Sequence, residues 1–237
     1  MKILSVDSSA AVVSVALTVD ERILSNFFVN TRLKHSRTLM PMIQSLFHCS
    51  GQKVSDVDLF AVSTGPGSFT GLRIGISAIK GMSMALNKPC VGVSSLYALA
   101  ATVCGAEKLM GTIICATDAK CGRIYSAVFE NSASGLIRRT RDSVLTIGEF
   151  FDSFPTYGTK IFLVGDAAEM LCHIEVFEKI CKENTILMDD CPNLQNLSVG
   201  IAIAAKIASD EGKTVSASEL CPSYVCAPSA EKNAGFF

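Results

Sequence analysis

The chain has 237 residues, enough for one large domain or two smaller domains with a full core. Its 21 basic and 22 acidic residues leave a formal net charge of −1 and form no basic tail or arginine-rich helix. This balance argues against a protein that binds nucleic acid strongly by itself, because phosphate binding needs an excess of basic side chains.

Cysteine and histidine usage points to a reducing compartment. The chain has 10 cysteines and 3 histidines, with no C-x-x-C pair and no zinc-ligand spacing. Many cysteines stand in apolar runs, so we expect reduced, buried thiols and no metal. Asp7 interrupts the first apolar run too early for a signal peptide, and Pro89 and Gly92 break the uncharged run 89–106. We therefore expect a cytoplasmic protein with no membrane contact.

The first hundred residues alternate between strand and helix patterns. Period-2 alternation and turn residues predict strands, and apolar residues at helical spacing predict helices. The predicted elements are strands at 3–6, 13–19 and 23–29, a helix from Ser36 to Gly51, a strand at 59–63, a helix to about Asn87, a strand at 90–93 and a helix from Ser95 to about Cys104.

The opening pattern recurs near residue 111. An apolar strand ends in an aspartate at Asp118, as at Asp7, and a second strand at 124–129 follows a short turn. This weak internal repeat predicts two related α/β halves, which we place at 1–106 and 107–237. In an alternative arrangement the last segment returns to the first half. Further predictions are a short helix at 147–154, a strand at 161–164, helices around 167–182 and from Asn196 to Ser209, and a loosely ordered tail at 227–237.

A glycine-rich segment, residues 64–75, joins a buried strand to a helix. Its glycines and one proline predict a tight turn that lets the backbone approach another group closely. Ser68 is a candidate N-cap, so free amides at the helix start could bind an anion. Gly71 is followed by Leu72 and Arg73, where a P-loop has Lys and then Ser or Thr. The segment therefore lacks standard phosphate chemistry.

This segment, GPGSFTGLRIG, resembles the signature of the TsaB (YeaZ) family, and the resemblance is dense over residues 1–130. Other matching motifs are Lys2–Ser9, His35-Ser36 with Leu39 and Pro41, Pro89–Leu96, Asp118-Ala119-Lys120 with Tyr125, and Pro222-Ser223-Tyr224. The resemblance implies the ASKHA fold of actin, Hsp70 and sugar kinases: two related α/β halves with mixed sheets flanked by helices. In that fold an aspartate hairpin of each half faces a nucleotide cleft.

The resemblance also implies a function. TsaB-family proteins help to make threonylcarbamoyladenosine at position 37 of tRNAs that read codons starting with A. The chain would be a non-catalytic subunit that binds and activates TsaD, with TsaE as the ATPase. It would need no cofactor of its own, use ATP only through the complex, contact tRNA only through the complex and form a homodimer when alone. Tyr224-Val225-Cys226 departs from the family's Tyr-Leu-Arg, which puts a role for that arginine in doubt.

Polar residues near the two hairpins and the glycine-rich turn are candidates for facing a nucleotide or phosphate. They are Asp7, Ser8, Ser68, Arg73 and Asp118. The alternative for each aspartate is a turn residue at a strand end, and for Arg73 a solvated charge on a helix face. His35 has Leu39 four residues on, where the related TsaD family has a second metal-binding histidine, so a capping or packing role is expected.

The first two helices of the first half show more apolar surface than one neighbouring element would cover. The second has a core stripe of Leu72, Ile76, Ile79, Ser83 and Leu86 beside a stripe of small residues. We predict that this second stripe packs against another chain, although core packing alone is the alternative. The predicted partner interface is Leu39, Met42, Leu46, Gly71, Gly75, Ala78, Met82 and Ala85.

Enzymes of this fold class are the alternative function. An ATP-using kinase would need a phosphate-cradling glycine after Asp7, where this chain has Ser8 and Ser9. A peptidase-like hydrolase would need a nucleophile motif, and no G-x-S-x-G elbow is present. We predict no catalytic residue.

Overall fold

A computed structural model describes residues 1–20, 22–31, 33–107, 109–154, 160–175, 185–188 and 196–225. The elements up to residue 107 are β1 (Lys2–Asp7), β2 (Val13–Val19), β3 (Arg22–Val29), α1 (His35–Ser50), β4 (Leu59–Gly65), α2 (Phe69–Leu86), β5 (Cys90–Ser94) and α3 (Ser95–Glu107). The later elements are β6 (Gly111–Lys120), β7 (Arg123–Ser132), β8 (Gly135–Arg138), β9 (Ser143–Thr146), α4 (Ile147–Asp152), β10 (Ile161–Val164), α5 (Ala167–Cys172), β11 (Thr185–Met188) and α6 (Leu197–Asp210).

Two mixed sheets repeat one arrangement. In the first sheet, ordered β3-β2-β1-β4-β5, β1 and β2 form an antiparallel hairpin and β4 lies parallel to β1. In the second sheet, ordered β11-β10-β6-β7-β8, β6 and β7 form the hairpin and β10 lies parallel to β6. Helices cover both sheets, so the predicted fold class of two related α/β halves is confirmed.

Helix α1 and helix α2 end where the sequence predicts. Gly51 adopts the left-handed conformation at φ 64°. The amides of Gly51 and Gln52 donate hydrogen bonds to carbonyl oxygens in the last turn of α1. Asn87 does the same after α2 at φ 49°. Between these ends, Leu46, Leu72 and Ile79 pack in one core with the first sheet.

Helix α6 crosses back onto the first sheet. It packs against α3, β1 and β2, and Gly200 lies so close to α3 that a Cβ there would stand 2.0 Å from the Ala98 carbonyl oxygen. Beyond it, Ala217 and Leu220 enter the core under α1 and α2. The domain boundary at 106/107 stays a prediction.

Several predicted details differ from the structure. Strands β8, β9 and β11 were not predicted, since their four-residue patterns are too short to separate from loop. Helix α5 ends at Cys172, and residues 176–182 and the tail 227–237 lie outside the described residues. Asn196 is the N-cap position of α6, but its side-chain oxygen accepts from the Ser198 hydroxyl rather than from a helix amide.

Among the helices in the described ranges, none has both the length and the apolar run that crossing a membrane would require.

Candidate functional site

A cleft of about 690 Å³ lies between the two sheets, where the two aspartate hairpins face each other. Its walls come from the β1–β2 turn, the glycine-rich turn before α2, the start of α3, the β6–β7 hairpin and the end of β10. Among the lining residues are Asp7, Ser9, Gly67, Ser68, Ser95, Leu99, Asp118, Lys120, Tyr125, Asp166 and Leu197. The structure thus brings three predicted candidates, Asp7, Ser68 and Asp118, to one cleft. Their contact with a phosphate stays a prediction.

Asp7 ends β1 and is only 2% exposed. The Ser63 hydroxyl donates to its Oδ1 at 2.5 Å, and the Ser9 amide donates to the same oxygen at 3.1 Å. Burial raises the pKa of Asp7 because the charged form loses water, while the hydrogen bonds from Ser63 and Ser9 partly oppose that effect. Asp7 is therefore held in place by β4 through Ser63 and by its own turn through Ser9.

Asp118 holds the corresponding place in the second hairpin, in a more open setting. The Lys120 ammonium donates to Oδ2 at 2.6 Å and the Lys120 amide donates to Oδ1 at 2.7 Å. The hydrogen bond from the Lys120 side chain lowers the pKa of Asp118. The Asp118 amide itself donates to Asp166 Oδ1 at 2.9 Å.

Asp166 was missed as a site residue. It follows β10, which is parallel to β6, and the carboxyl ends of parallel strands meet at one edge of a sheet. The Gly165-Asp166 pair at a predicted strand end was therefore a usable signal.

Both aspartates accept a hydrogen bond from the amide two residues later, Asp7 from Ser9 and Asp118 from Lys120. These amides are among the donors that a phosphate cradle would use, and here they are engaged by carboxylates of the same turn. One amide of each turn is therefore engaged by its own aspartate in this structure.

The glycines of the 64–75 segment give close approach to the β1–β2 turn. A Cβ on Gly67 would stand 2.4 Å from the Ser9 carbonyl oxygen, and one on Gly71 would stand 2.1 Å from that of Ser8. The Ser68 amide donates to the Ser9 carbonyl, and the Ser68 hydroxyl accepts from the Gly71 amide, as predicted for an N-cap. The segment thus packs the helix start onto the turn.

Two predicted phosphate-facing residues lie elsewhere. Ser8 is fully buried and its hydroxyl donates to the Gly71 carbonyl at 2.8 Å, because its side chain points at α2. Arg73 is exposed, and its guanidinium lies 3.8 Å from the centroid of the Phe69 ring and bonds Tyr224. Neither residue lines the cleft.

His35 joins α1 to the cleft wall. Its Nε2 lies 2.8 Å from the Ala10 carbonyl oxygen in the β1–β2 turn, so this nitrogen carries the proton. This contact agrees with the capping or packing role expected for His35 and needs no metal.

The predicted partner-interface residues divide into two groups. Leu39, Met42 and Leu46 are buried in the core of the first half, because α1 turns its apolar arc toward the sheet. The Ser8 hydroxyl fills the space beside Gly75, and the Ser8 carbonyl oxygen fills the space beside Gly71. These five residues are accounted for by packing within the chain. Ala78 and Met82 are half-buried and Ala85 is exposed, so only these three remain open to a partner.

Thiols in the described ranges are free: Cys49, Cys90, Cys104, Cys115, Cys121, Cys172 and Cys221. Within the same ranges, no three His, Cys, Asp or Glu side chains are grouped to hold a metal ion.

Comparison with known proteins shows which family the chain resembles. The sequence model of the family described as "TsaD: tRNA N6-adenosine threonylcarbamoyltransferase" matches residues 22–233. The solved structure titled "YeaZ from Pseudomonas aeruginosa" superposes with a TM-score of 0.81 at 25% identity, covering 94% of this chain and 99% of that one. The tRNA threonylcarbamoyladenosine biosynthesis protein TsaB of Escherichia coli (strain K12) is 34% identical over 138 residues.

The chain belongs to the TsaB (YeaZ) branch of the TsaD family.

Other TsaB-family matches agree. The Bacillus subtilis (strain 168) TsaB is 25% identical over 180 residues, which is 76% of either chain. The match to the E. coli protein covers 57% of this chain and 58% of the relative, under two thirds of its length. A tRNA N6-adenosine threonylcarbamoyltransferase of Solidesulfovibrio magneticus is 37% identical over 123 residues, covering 50% of this chain and 32% of the transferase.

More distant structures share the fold alone. The ROK hexokinase of Thermus thermophilus has a TM-score of 0.52 at 12% identity, covering 89% of this chain and all of that one. The activator of a dehydratase from Clostridium difficile, solved with bound ADPNP, has a TM-score of 0.51 at 11% identity, covering 90% of this chain and 97% of that one. These neighbours agree with the predicted ASKHA fold.

Proposed function

We propose that the chain is a non-catalytic subunit in the biosynthesis of threonylcarbamoyladenosine at A37 of tRNA. Membership of the TsaB branch supports the pathway. The observation that supports a non-catalytic role is the state of the cleft: in both hairpins the amide two residues after the aspartate bonds that aspartate. One amide of each hairpin that a phosphate cradle would use is thus already engaged, which supports the use of ATP by the complex rather than by this subunit.

The proposed partner is TsaD, with TsaE supplying the ATPase. TsaD-type transferases resemble this chain in sequence, so the two subunits would present related helices to each other. On this chain Ala78, Met82 and Ala85 form an uncharged stripe on one side of α2. The same surface would form a homodimer when TsaD is absent, and tRNA would be held mainly by the other subunits because the net charge here is −1.

Reconstitution tests the role. Purified TsaD and TsaE from the same organism, a threonylcarbamoyl donor system and unmodified tRNA are combined with and without this chain. We expect modified tRNA only when the chain is present. Formation at an equal rate without it would contradict the proposal.

Surface variants test the partner site. Ala85→Arg and Ala78→Arg would each place a charge and a long side chain in a desolvated contact, so we expect TsaD affinity to fall at least about tenfold. Ala85 is exposed, so its variant should keep the melting temperature of the parent chain. Ser134→Arg, in the exposed β7–β8 turn, is the matched control and should bind normally. Normal TsaD binding and dimerisation by both α2 variants would place the interface elsewhere.

The alternative is an ATP-using enzyme of the same fold, as in the hexokinase neighbour. It is tested with the isolated chain. ATP turnover that disappears in Asp7→Asn would favour the enzyme and contradict the non-catalytic role.

A further inference from the structure

The last described residues form a strap, residues 213–225, along the outer side of the first sheet. Strand β5 ends the order of that sheet, so its far edge has no strand neighbour among the described residues. Val215 and Cys90 exchange two backbone hydrogen bonds of 2.8 Å as an isolated bridge. At the other end of the strap the Ser223 amide donates to the Thr64 carbonyl at 2.8 Å. The strap thus bonds to β5 at Cys90 and to β4 at Thr64, and it does not form a continuous ladder along the edge.

A three-residue cluster holds the end of the strap. The rings of Phe69 and Tyr224 stack with centroids 4.8 Å apart at an interplanar angle of 27°. The Arg73 guanidinium lies over the Phe69 ring, 3.8 Å from its centroid. The Arg73 Nε donates a hydrogen bond to the Tyr224 hydroxyl at 3.1 Å. The planar guanidinium can stack and donate at once, which a lysine ammonium cannot do.

The glycine-rich turn is shaped to receive the strap. Gly65 has φ 123°, and a Cβ there would stand 2.6 Å from the Ser223 carbonyl oxygen. A larger residue would therefore push Ser223 away from Thr64. The 64–75 segment consequently serves two neighbours: Gly67 and Gly71 receive the β1–β2 turn, while Gly65, Phe69 and Arg73 receive the strap.

We propose that Phe69, Arg73 and Tyr224 form a latch that keeps the strap closed on the first sheet. Opening the latch frees Ser223 from Thr64 and uncovers Gly65. The inner part of the strap stays attached, because Ala217 and Leu220 are buried in the core. The moving part is therefore the end of the strap, from about residue 221.

The latch is separate from the proposed partner surface. Arg73 and Ala78 are five residues apart on α2, which places them about 140° apart around the helix. A failure of the partner proposal leaves the latch unaffected, and the reverse also holds.

Amide hydrogen exchange, resolved by residue, tests the latch. Tyr224→Ala should speed exchange of the Ser223 amide about tenfold, because the stacking and the hydrogen bond are both lost. Tyr224→Phe keeps the ring and should give a smaller increase. Arg73→Lys loses the Nε donor and the stacking plane, so it should also speed Ser223 exchange, through Tyr224. Combining Arg73→Lys with Tyr224→Ala should add little to Tyr224→Ala alone, since both remove one cluster.

Two controls separate a latch from general destabilisation. Ser77→Ala changes an exposed residue of the same helix and should leave Ser223 exchange unchanged. The Val62 amide in β4 reports the core and should exchange equally slowly in every variant. The latch is overturned if Ser223 exchange stays at the parent rate in Tyr224→Ala, or if Val62 speeds up as much as Ser223. It is also overturned if the effects of the two substitutions simply add.

Discussion

The two aspartate hairpins have the same backbone plan and opposite environments. Asp7 in the first is 2% exposed and its pKa is raised by burial, whereas the Asp118 side chain in the second is 32% exposed and its pKa is lowered by Lys120. The difference comes from what covers each turn. Helix α1 closes over the first turn through His35, and the glycine-rich turn and the start of α2 close over it through Gly67 and Gly71. The tip of the second turn is open around Cys121. The repeated hairpin therefore does not determine the exposure or the pKa of its aspartate, because these depend on the elements packed around the turn.

The largest expected effect is steric. Gly71→Ala should destabilise the chain by about 3 kcal/mol, because its Cβ would stand 2.1 Å from the Ser8 carbonyl oxygen, where the backbone must move. Gly122→Ala, at the tip of the second hairpin, should destabilise the chain by only about 1 kcal/mol, because no atom stands near the new Cβ. That cost comes from holding a non-glycine residue at φ 69°. Urea unfolding of both variants measures the difference. Equal losses would contradict the contrast between a covered and an open turn.

The next effect is electrostatic and depends on pH. The pKa of Asp7 is higher in the folded chain than in the unfolded chain, so its contribution to stability is fully present at acid pH and is lost as pH rises through the folded pKa. Asp7→Asn keeps the acceptor for Ser63 and Ser9 and removes the buried charge. We expect the stability of the variant relative to the parent to increase as the pH rises from the unfolded value of 3.8 toward neutral pH. A constant difference across that range, measured by thermal unfolding, would show that Asp7 does not titrate there.

The contribution of Asp118 to stability should depend on pH in the opposite direction and should be smaller. Its folded pKa is lowered, so its contribution is present above the unfolded value of 3.8 and is lost as pH falls below it. Because the ion pair with Lys120 is largely exposed, Asp118→Asn should cost less than about 1 kcal/mol at neutral pH. The loss should shrink further in 1 M salt, which screens exposed pairs. A cost of Asp118→Asn that rises, rather than falls, as the pH drops below 3.8 would contradict this trend.

The smallest effect concerns thiol reactivity and leaves stability unchanged. Burial raises the pKa of Cys104 to about 11 from 9.0, which leaves about a hundredfold fewer thiolates at neutral pH. Cys121, exposed at the open hairpin, should be labelled by iodoacetamide well before Cys104. Mass spectrometry of timed samples assigns each site. Labelling of Cys104 first would mean that the helix around it opens more readily than the second hairpin.

Much of the fold could be predicted because its signals are local. The alternation at 13–19 predicts β2, and Gly51 and Asn87 mark the ends of α1 and α2 through the left-handed conformation that each adopts. The recurrence of a strand ending in aspartate at 112–118 predicts the second hairpin. Strands β8, β9 and β11 could not be predicted, since four residues carry too little periodicity.

The candidate site was predicted less completely. The sequence pointed to Asp7, Ser68 and Asp118, which line the cleft together, because a strand-end aspartate and an N-cap serine are readable from their neighbours. It assigned Leu39, Met42 and Leu46 to a partner surface, while the structure buries them in the core of the first half. Helical periodicity gives the width of an apolar arc, but not which part of that arc meets the sheet.

The sequence by itself determined the succession of the longer strands and helices along the chain, the two aspartate turns and the TsaB-like glycine-rich segment, because each depends on residues a few positions apart. Only the tertiary structure decided what these features contact. Arg73 bonds Tyr224, 151 positions away, and Ser8 fills the space beside Gly71, 63 positions away. The burial that raises the pKa of Asp7 comes from elements that fold over it from elsewhere in the chain. Such contacts depend on how distant segments pack, and local sequence preferences do not specify that packing.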